Sequence, residues 1–469
     1  MQGKDTMQQR IPISVMLFGA ICAGTALAET DDLSSMRGAN YVPSYARNDV
    51  AIWMDYDPAV VGRELGYAQK LRLNTVRVFL QQAVHEKQPE KFLADFESLL
   101  SLCDQHEIRL MPVLFDSCFD PQTVDLEDYR GKTWMPSPGF SRLGARDRPA
   151  MERYIRAVVG GHKDDRRVVL WDVMNEPEST GHYGDWERGG RQTIDEFVRW
   201  SLRRVKEEKP TQPLTIGWAG TESNIAAIDL VDVICIHLYG PPEELTPRIR
   251  EAQHWGRLHG KPVIMNEFIG RPRQPFERAM PIVTERKIGW CFWELMIGRT
   301  QFSEGAYPYQ GLLYPDGACL DAGEVAVVAG VSPEEARRLF PERPLPEVKD
   351  DGAVYRGFWT RWTGAGPLKD RLFYAVSPRS EVTFEYSGSK VTLIHKVGPD
   401  CGIAEILVDD KPAETRELDT YARDVEWNHR TTLGSGLAPG NHVVTIKVAA
   451  RKNPASSSCL VQVVGFERE

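Results

Sequence analysis

Two stretches of the chain set an asparagine and a glutamate side by side at the end of an apolar run: VVLWDVMNEPE, with Asn175 and Glu176, and VIMNEFIG, with Asn266 and Glu267. A strand buried on both faces hydrates a carboxylate poorly where it leaves the sheet. Taken alone, Asn-Glu-Pro after a strand reads equally as a loop start with a helix-capping Asn. The recurrence points to a pair of carboxyl groups brought together from distant parts of the chain. Such a pair suits proton transfer and nucleophilic attack if its members are unequal acids. Neighbouring carboxyls titrate in two steps, and the one without a cationic partner keeps its proton longer. Arg77, in the middle of the otherwise apolar or small NTVRVFL, is the cation that would hold one of them ionised. A third acid, Glu294 after Trp293 in CFWELMIG, reads as a supporting group or salt-bridge partner.

The elements that must carry these residues alternate regularly. Strand-like runs lie near Gly38–Pro43, Thr75–Leu80, Arg109–Phe115, Val168–Met174, Leu214–Trp218, Val233–Leu238, Val263–Phe268 and Gly289–Trp293. Helical periodicity fills Pro58–Leu71, Pro89–Gln105, Pro149–Gly161, Gln192–Glu208, Glu243–Leu258 and Pro275–Arg286, several of them opened by proline. Eight strand-helix units in this length predict an α/β fold, a (β/α)8 TIM barrel. An open doubly wound sheet would carry a glycine-rich first turn, where this chain has Asn40-Tyr41-Val42-Pro43-Ser44. In a barrel, catalytic groups stand at the C-terminal strand ends, so strands four and seven would set Glu176 and Glu267 across one bowl. Two opposed carboxyls suit cleavage of a glycosidic bond: one protonates the leaving oxygen and the other meets the positive charge growing on the sugar ring. On strand six, the His237-x-Tyr239 spacing puts both side chains on one side.

The 469 residues suggest two domains. Residues 1–28, with Lys4 and Arg10 before the apolar Ile11–Ala28, read as a secretory signal peptide, which implies a secreted or periplasmic protein. Residues 29–319 are assigned to the barrel, 320–350 to a proline-rich linker with a short helix at Pro333–Leu339, and 351–469 to an all-β sandwich of period-two strands. A formal net charge of -9 gives no electrostatic reason to bind nucleic acid or an anionic membrane face, and a neutral substrate fits better. No membrane association is expected after signal cleavage. The spacing of His and Cys suggests neither a catalytic metal nor another cofactor. Cys103, Cys235 and Cys291 read as small buried hydrophobes, while Cys401 and Cys459 are candidates for a bridge.

Together the motifs resemble the GH-A clan of retaining glycoside hydrolases, and most closely glycoside hydrolase family 5, over about residues 37–315. The pieces are RGANY at Arg37–Tyr41, Arg77, WDVMNEPE, IHLYG with His237 and Tyr239, IMNEFIG with Glu267, and CFWELMIG with Trp293. The resemblance implies Glu176 as acid/base and Glu267 as nucleophile of a retaining β-glycosidase. It also implies that Asn175 bonds the sugar 2-hydroxyl, that Arg77 and Tyr239 hold the nucleophile, that His237 contacts the acid/base side, and that Trp293 lies under the sugar ring. Family members commonly carry a His just past strand three, where this chain has Asp116, Ser117 and Cys118. The C-terminal sandwich loosely resembles the jelly-roll modules appended to such enzymes.

Trp53, Trp134, His182, Tyr183, Trp186 and Trp218, in or near predicted loops, are candidate sugar platforms, as are Trp359, Trp362 and Trp427 of the sandwich; for each, packing is the competing role. A transglycosylase would use the same residues. A non-catalytic carbohydrate-binding protein on a barrel scaffold would not need both acids.

Overall fold

The computed structural model describes residues 32–118, 124–181, 184, 189–271, 273–300, 302, 310–363, 367–368, 370–449 and 451–469. Eight parallel strands form one sheet: β1 Arg37–Asn40, β2 Thr75–Phe79, β3 Arg109–Asp116, β4 Trp171–Asn175, β5 Leu214–Gly217, β6 Ile234–Leu238, β7 Val263–Phe268 and β8 Gly289–Phe292. Their order, β5-β4-β3-β2-β1-β8-β7-β6, runs around a ring. The gap between β5 and β6 is bridged where Val233 N–H donates to Leu214 O at 3.2 Å and His237 N–H to Trp218 O at 2.8 Å. The chain is thus the TIM barrel that the strand-helix alternation predicts.

Two register shifts shape the C-terminal mouth of the barrel. Asp172 and Asn175 of β4 pair with Thr215 and Gly217 of β5, so β4 carries one extra residue. Ile236 and His237 of β6 pair with Met265 and Glu267 of β7, so β7 carries one as well. An extra residue in one strand re-aims the side chains beyond it. Both strands that end in Asn-Glu are therefore the bulged ones.

The outer helices bury apolar residues against the strands, with Phe92, Phe96, Tyr154 and Phe197 among the largest fully buried side chains. A separate cluster that includes Met36, Met111, Leu170, Ile264 and Cys291 fills the barrel around its N-terminal end. Strand β1 approaches β8 closely at Gly38, where a Cβ would lie 2.5 Å from Cys291 Sγ and 2.8 Å from Thr75 O. Trp53 and Trp218, candidates for either a sugar platform or packing, are core residues at 0% exposure, and Trp53 Nε1–H donates to Phe79 O at 2.8 Å. No helix among the described residues is long and apolar enough to cross a membrane.

Where the sequence suggested a linker with one short helix, the chain folds two helices, Ala322–Ala329 and Pro333–Leu339. The first is apolar nearly all round and so shows no helical period; its signals are its caps. Asp321 accepts from Gly323 N–H, and Gly330 closes the helix at φ 67°. Val325, Val328, Ala336 and Phe340 belong to the core of the barrel. Beyond them, two antiparallel sheets of six and five strands enclose Tyr355, Trp359, Phe384, Ile406, Val444 and Val463, which confirms the all-β sandwich. Trp359 is thus a core residue, while the ring of half-buried Trp427 lies 5.1 Å from Lys396 Nζ. Phe358 of the sandwich packs with Ile297 and Leu320 of the barrel. Cys401 and Cys459 are buried free thiols, not a bridge.

Arg271, in the loop after β7, pins the first of these helices through a two-pronged ion pair. Its Nε donates to Glu324 Oε1 at 2.6 Å, its Nη2 donates to Glu324 Oε2 and to Gly311 O, and both residues are buried. Removing one partner leaves the other charge buried alone, at a cost of about 3–5 kcal/mol. Glu324→Ala should lower the urea midpoint of the barrel by that equivalent. An unchanged midpoint would mean the helix is not part of the barrel's cooperative unit.

Candidate active site

The interior of the barrel mouth is organised by one cation. Arg77, on β2 and fully buried, donates from Nε to Asp172 Oδ2 at 2.9 Å, from Nη1 to Asn40 Oδ1 at 2.8 Å and to Glu267 Oε1, and from Nη2 to Asn175 Oδ1 at 2.7 Å. Burial opposes its charge, but Asp172 and Glu267 outweigh burial and hold the guanidinium above its ordinary pKa. Asp172 is held in turn: its Oδ2 accepts from Asn266 Nδ2 at 2.9 Å and its Oδ1 from Gly217 N–H at 2.9 Å. A glycine is required there, because a Cβ on Gly217 would lie 2.9 Å from Asp172 Oδ2, 2.9 Å from His237 Nε2 and 3.0 Å from Arg77 Nη2.

Above this layer stand the two glutamates. One oxygen of Glu176, one of Glu267 and a ring nitrogen of His237 lie within 4.8 Å of one another. Glu176 follows β4 in the left-handed region, φ 36° and ψ 58°, with its N–H donating to Gly217 O at 2.7 Å. Its Oε1 pairs with His237 Nδ1 at 2.8 Å, and its Oε2 accepts from Cys118 Sγ at 3.2 Å. Glu267 meets Arg77 on one oxygen and accepts from Tyr239 Oη on the other at 3.1 Å, with His237 Nδ1 at 3.4 Å. Burial lowers the affinity of His237 for a proton, but Glu267 and Glu176 reverse this and raise it well above the usual histidine range. Burial raises Glu176 too, yet the hydrogen bond and charge of His237 prevail and bring it down to about 2. Glu267 is pushed up by burial and by Glu176, against the pull of His237 and Arg77. The three groups titrate as one system, with a proton held at His237 between two carboxylates.

Glu176 and Glu267 line a cavity of about 230 Å³ with Phe79, Cys118, Trp134, Asn175, Tyr239, Trp293, Phe302 and Gln310. Trp293, 5% exposed, packs edge-on against Phe79 at 5.8 Å and Phe302 at 5.5 Å, so aromatic rings form one wall. Tyr239 stands 40% exposed at the rim. A larger cavity of about 560 Å³, lined by His85, Glu86, Arg142, Arg146, Asp147 and Arg153 among others, includes none of the paired carboxylates.

The structure therefore brings together every residue singled out for chemistry: Arg77, Asn175, Glu176, His237, Tyr239, Glu267 and Trp293. Trp134 joins the cavity wall, and Glu294 lies buried, accepting from Thr300 Oγ1 at 2.8 Å. His182, Tyr183 and Trp186 lie outside the described residues. Sequence reasoning missed Asn40, Asp172 and Gly217. Asp172 was detectable, since an acid amid the buried-type strand WDVMN needs a buried cation and Arg77 is one. Glu176, His237 and Glu267 also have the spacing of cation ligands, as do Glu97, His162 and Asp165, where Arg167 already pairs with both acids.

Asp116, at the end of β3, is a further buried carboxyl. Its Oδ1 accepts from Cys118 N–H at 2.8 Å and Asn175 Nδ2 at 3.3 Å, and its Oδ2 from Trp134 Nε1 at 2.9 Å. Burial, and secondarily Glu176, push it up to about 7. Between about pH 4 and 7 the folded chain then holds a proton that the unfolded chain has released, so stability should fall as pH rises through this window. Asp116→Asn should flatten that part of the slope in urea midpoints taken across it; an unaltered slope would show that Asp116 is ionised throughout.

Residues 67–298 match the family model described as Cellulase (glycosyl hydrolase family 5). Among curated proteins, the chain is 24% identical over 205 residues to a beta-glucuronidase of Chlorocebus aethiops, covering 40% of this chain. The chain spans about a quarter of the length of the curated relatives it matches, 26%. Among solved structures it is similar to the exo-beta-1,4-mannosidase Op5Man5 from Opitutaceae bacterium strain TAV5, at a TM-score of 0.49 and 18% identity over 64% of this chain and 60% of that one. It is also similar to GH5_18 from Streptomyces cattleya in complex with GlcNAc, at a TM-score of 0.48 and 19% identity over 66% and 82%. With Arg77, both glutamates, His237, Tyr239 and Trp293 inside the matched span, and in keeping with the GH-A resemblance of its motifs, the barrel of this chain is a cellulase-type domain of glycosyl hydrolase family 5.

Proposed function

We propose that this protein hydrolyses β-glycosidic bonds of an oligosaccharide or polysaccharide with retention of configuration, using Glu267 as nucleophile and Glu176 as acid/base. The observation that carries the reading is the closeness of two carboxylates in unlike surroundings, with an oxygen of each within 4.8 Å of the other. Retaining enzymes set this pair about 5–5.5 Å apart, whereas inverting enzymes leave room for a water.

The roles follow from the neighbours. Glu267 has a guanidinium on one oxygen and a phenol hydroxyl on the other, both donors that favour an oriented anion ready to attack the anomeric carbon. Glu176 has His237 and the Cys118 thiol, both able to give or share a proton. The proton held between His237 and Glu176 passes to the departing glycosidic oxygen as the bond from Glu267 to the anomeric carbon forms. Glu176, now without it, takes a proton from the water that later breaks the glycosyl ester, which restores both residues. Asn175 reaches the 2-hydroxyl, and Trp293 offers its flat apolar face to the C–H side of the ring.

Released sugar from an aryl β-glycoside or β-linked oligosaccharide should show the β anomer first by NMR; prompt appearance of the α anomer would defeat the double-displacement reading. Glu267→Gln should lower kcat/KM about a thousandfold or more on every substrate. Glu176→Gln should do so only where the leaving oxygen needs a proton, and should lose far less on an aryl glycoside with an acidic phenol. Equal losses on both substrate types would remove Glu176 from the acid role.

A further inference from the structure

We propose that Asp116 is a positioning residue of this active site: it locks the side-chain amide of Asn175 in one orientation, so that a single N–H is presented to the 2-hydroxyl of the bound sugar. The inference rests on the retaining-glycosidase reading above and adds a residue to it.

An asparagine amide can turn over and exchange its oxygen and nitrogen. Here Asn175 Oδ1 accepts from Arg77 Nη2 at 2.7 Å, while Nδ2 donates to Asp116 Oδ1 at 3.3 Å. Turned over, it would set its NH2 against a guanidinium, a repulsive contact, and its carbonyl against Asp116 Oδ1, an oxygen already accepting from Cys118 N–H. A cation on one side and an acceptor on the other thus select one orientation. Of the two Nδ2 hydrogens, Asp116 takes one, and the second is left for the cavity that Asn175 lines.

The contact is built into the sheet, because Asp116 and Asn175 are register partners where β3 pairs with β4. Asp116 is itself fixed by two further donors, Cys118 N–H at 2.8 Å and Trp134 Nε1 at 2.9 Å. Those two donors belong to cavity-lining residues, and Cys118 Sγ donates onward to Glu176 Oε2 at 3.2 Å. One carboxyl group therefore ties together the amide, an aromatic wall and a neighbour of the acid/base. Packing does not favour its presence: Asp116 is 3% exposed and lies near two other acids, Glu176 and Asp49. An acid buried among acids costs stability, which a group that only filled space would not require.

A double-mutant cycle tests this. Asp116→Ala and Asn175→Ala should each lower kcat/KM on an aryl β-glycoside about 10- to 100-fold, the usual effect of losing a residue that orients a contacting group. The double variant should be no worse than Asn175→Ala alone, within about twofold, since the amide through which Asp116 acts on the sugar is then gone. Losses that multiply would overturn the proposal. The matching 2-deoxyglycoside supplies a readout that mere structural damage would not move: on it the Asp116→Ala loss should shrink to about twofold, and an undiminished loss would overturn the proposal too. Should Asp116→Ala fail to fold, Asp116→Asn takes its place, with a smaller loss that again vanishes in the Asn175→Ala background. Glu267→Gln run alongside separates the two levels. Full activity there sinks the glycosidase reading itself, whereas an inactive Glu267→Gln with multiplying losses sinks only the role of Asp116.

Discussion

A guanidinium sealed inside a barrel is the constraint from which the rest of this site follows. Arg77 is fully buried, and a lone buried cation is among the costliest groups a fold can hold. Its donors are therefore matched by acceptors from three other strands: Asn40 on β1, Asp172 and Asn175 on β4, and Glu267 on β7. The positive charge forces opposite parts of the barrel to converge. It also settles which of the two upper carboxyls has a permanent cation and which has only an exchangeable proton for a partner.

The two register shifts give this convergence its geometry. In a regular strand, consecutive side chains point to opposite faces, so Asn266 and Glu267 could not both face inward. The extra residue in β7 lets Asn266 reach Asp172 while Glu267 reaches Arg77. In β4 the extra residue lies between Asp172, in the lower layer, and Asn175, in the upper one. Gly217, opposite that shift, supplies the space for the imidazole, the carboxylate and the guanidinium to meet. The paired Asn-Glu motifs are thus the sequence trace of two bulges.

Most of the site was legible in the amino-acid sequence because its members break a local rule. Arg77 is a charge inside TVRVF, and Glu176 and Glu267 are acids at the ends of apolar strands. Each violation demands a partner, and the strand count supplies the placement. What was not legible depends on register: Asn40 and Gly217 look unremarkable in a strand until the neighbour is known. Between platform and packing, the two roles open to Trp53 and Trp218, the sequence could not choose, since a tryptophan near a predicted loop looks the same whether its ring turns toward the mouth or into the core. The helix at Ala322–Ala329 escaped because, apart from Glu324, it is apolar all round and so has no period.

The two glutamates are made unequal by the kind of donor each meets, not by burial, which both share. Arg77 never releases its proton, so the carboxylate it grips keeps a permanent cation beside it, against the burial and the Glu176 charge that push Glu267 up. The His237–Glu176 pair can trade one proton over 2.8 Å, and Glu267 raises the affinity of His237 for that proton. The negative charge of Glu267 therefore helps to keep that proton in place. In the retaining reaction proposed above, Glu267 would lose its charge to the new bond, and that hold on the proton would weaken as the leaving oxygen needs it. Placing the histidine between the two carboxylates couples their charges through a single proton.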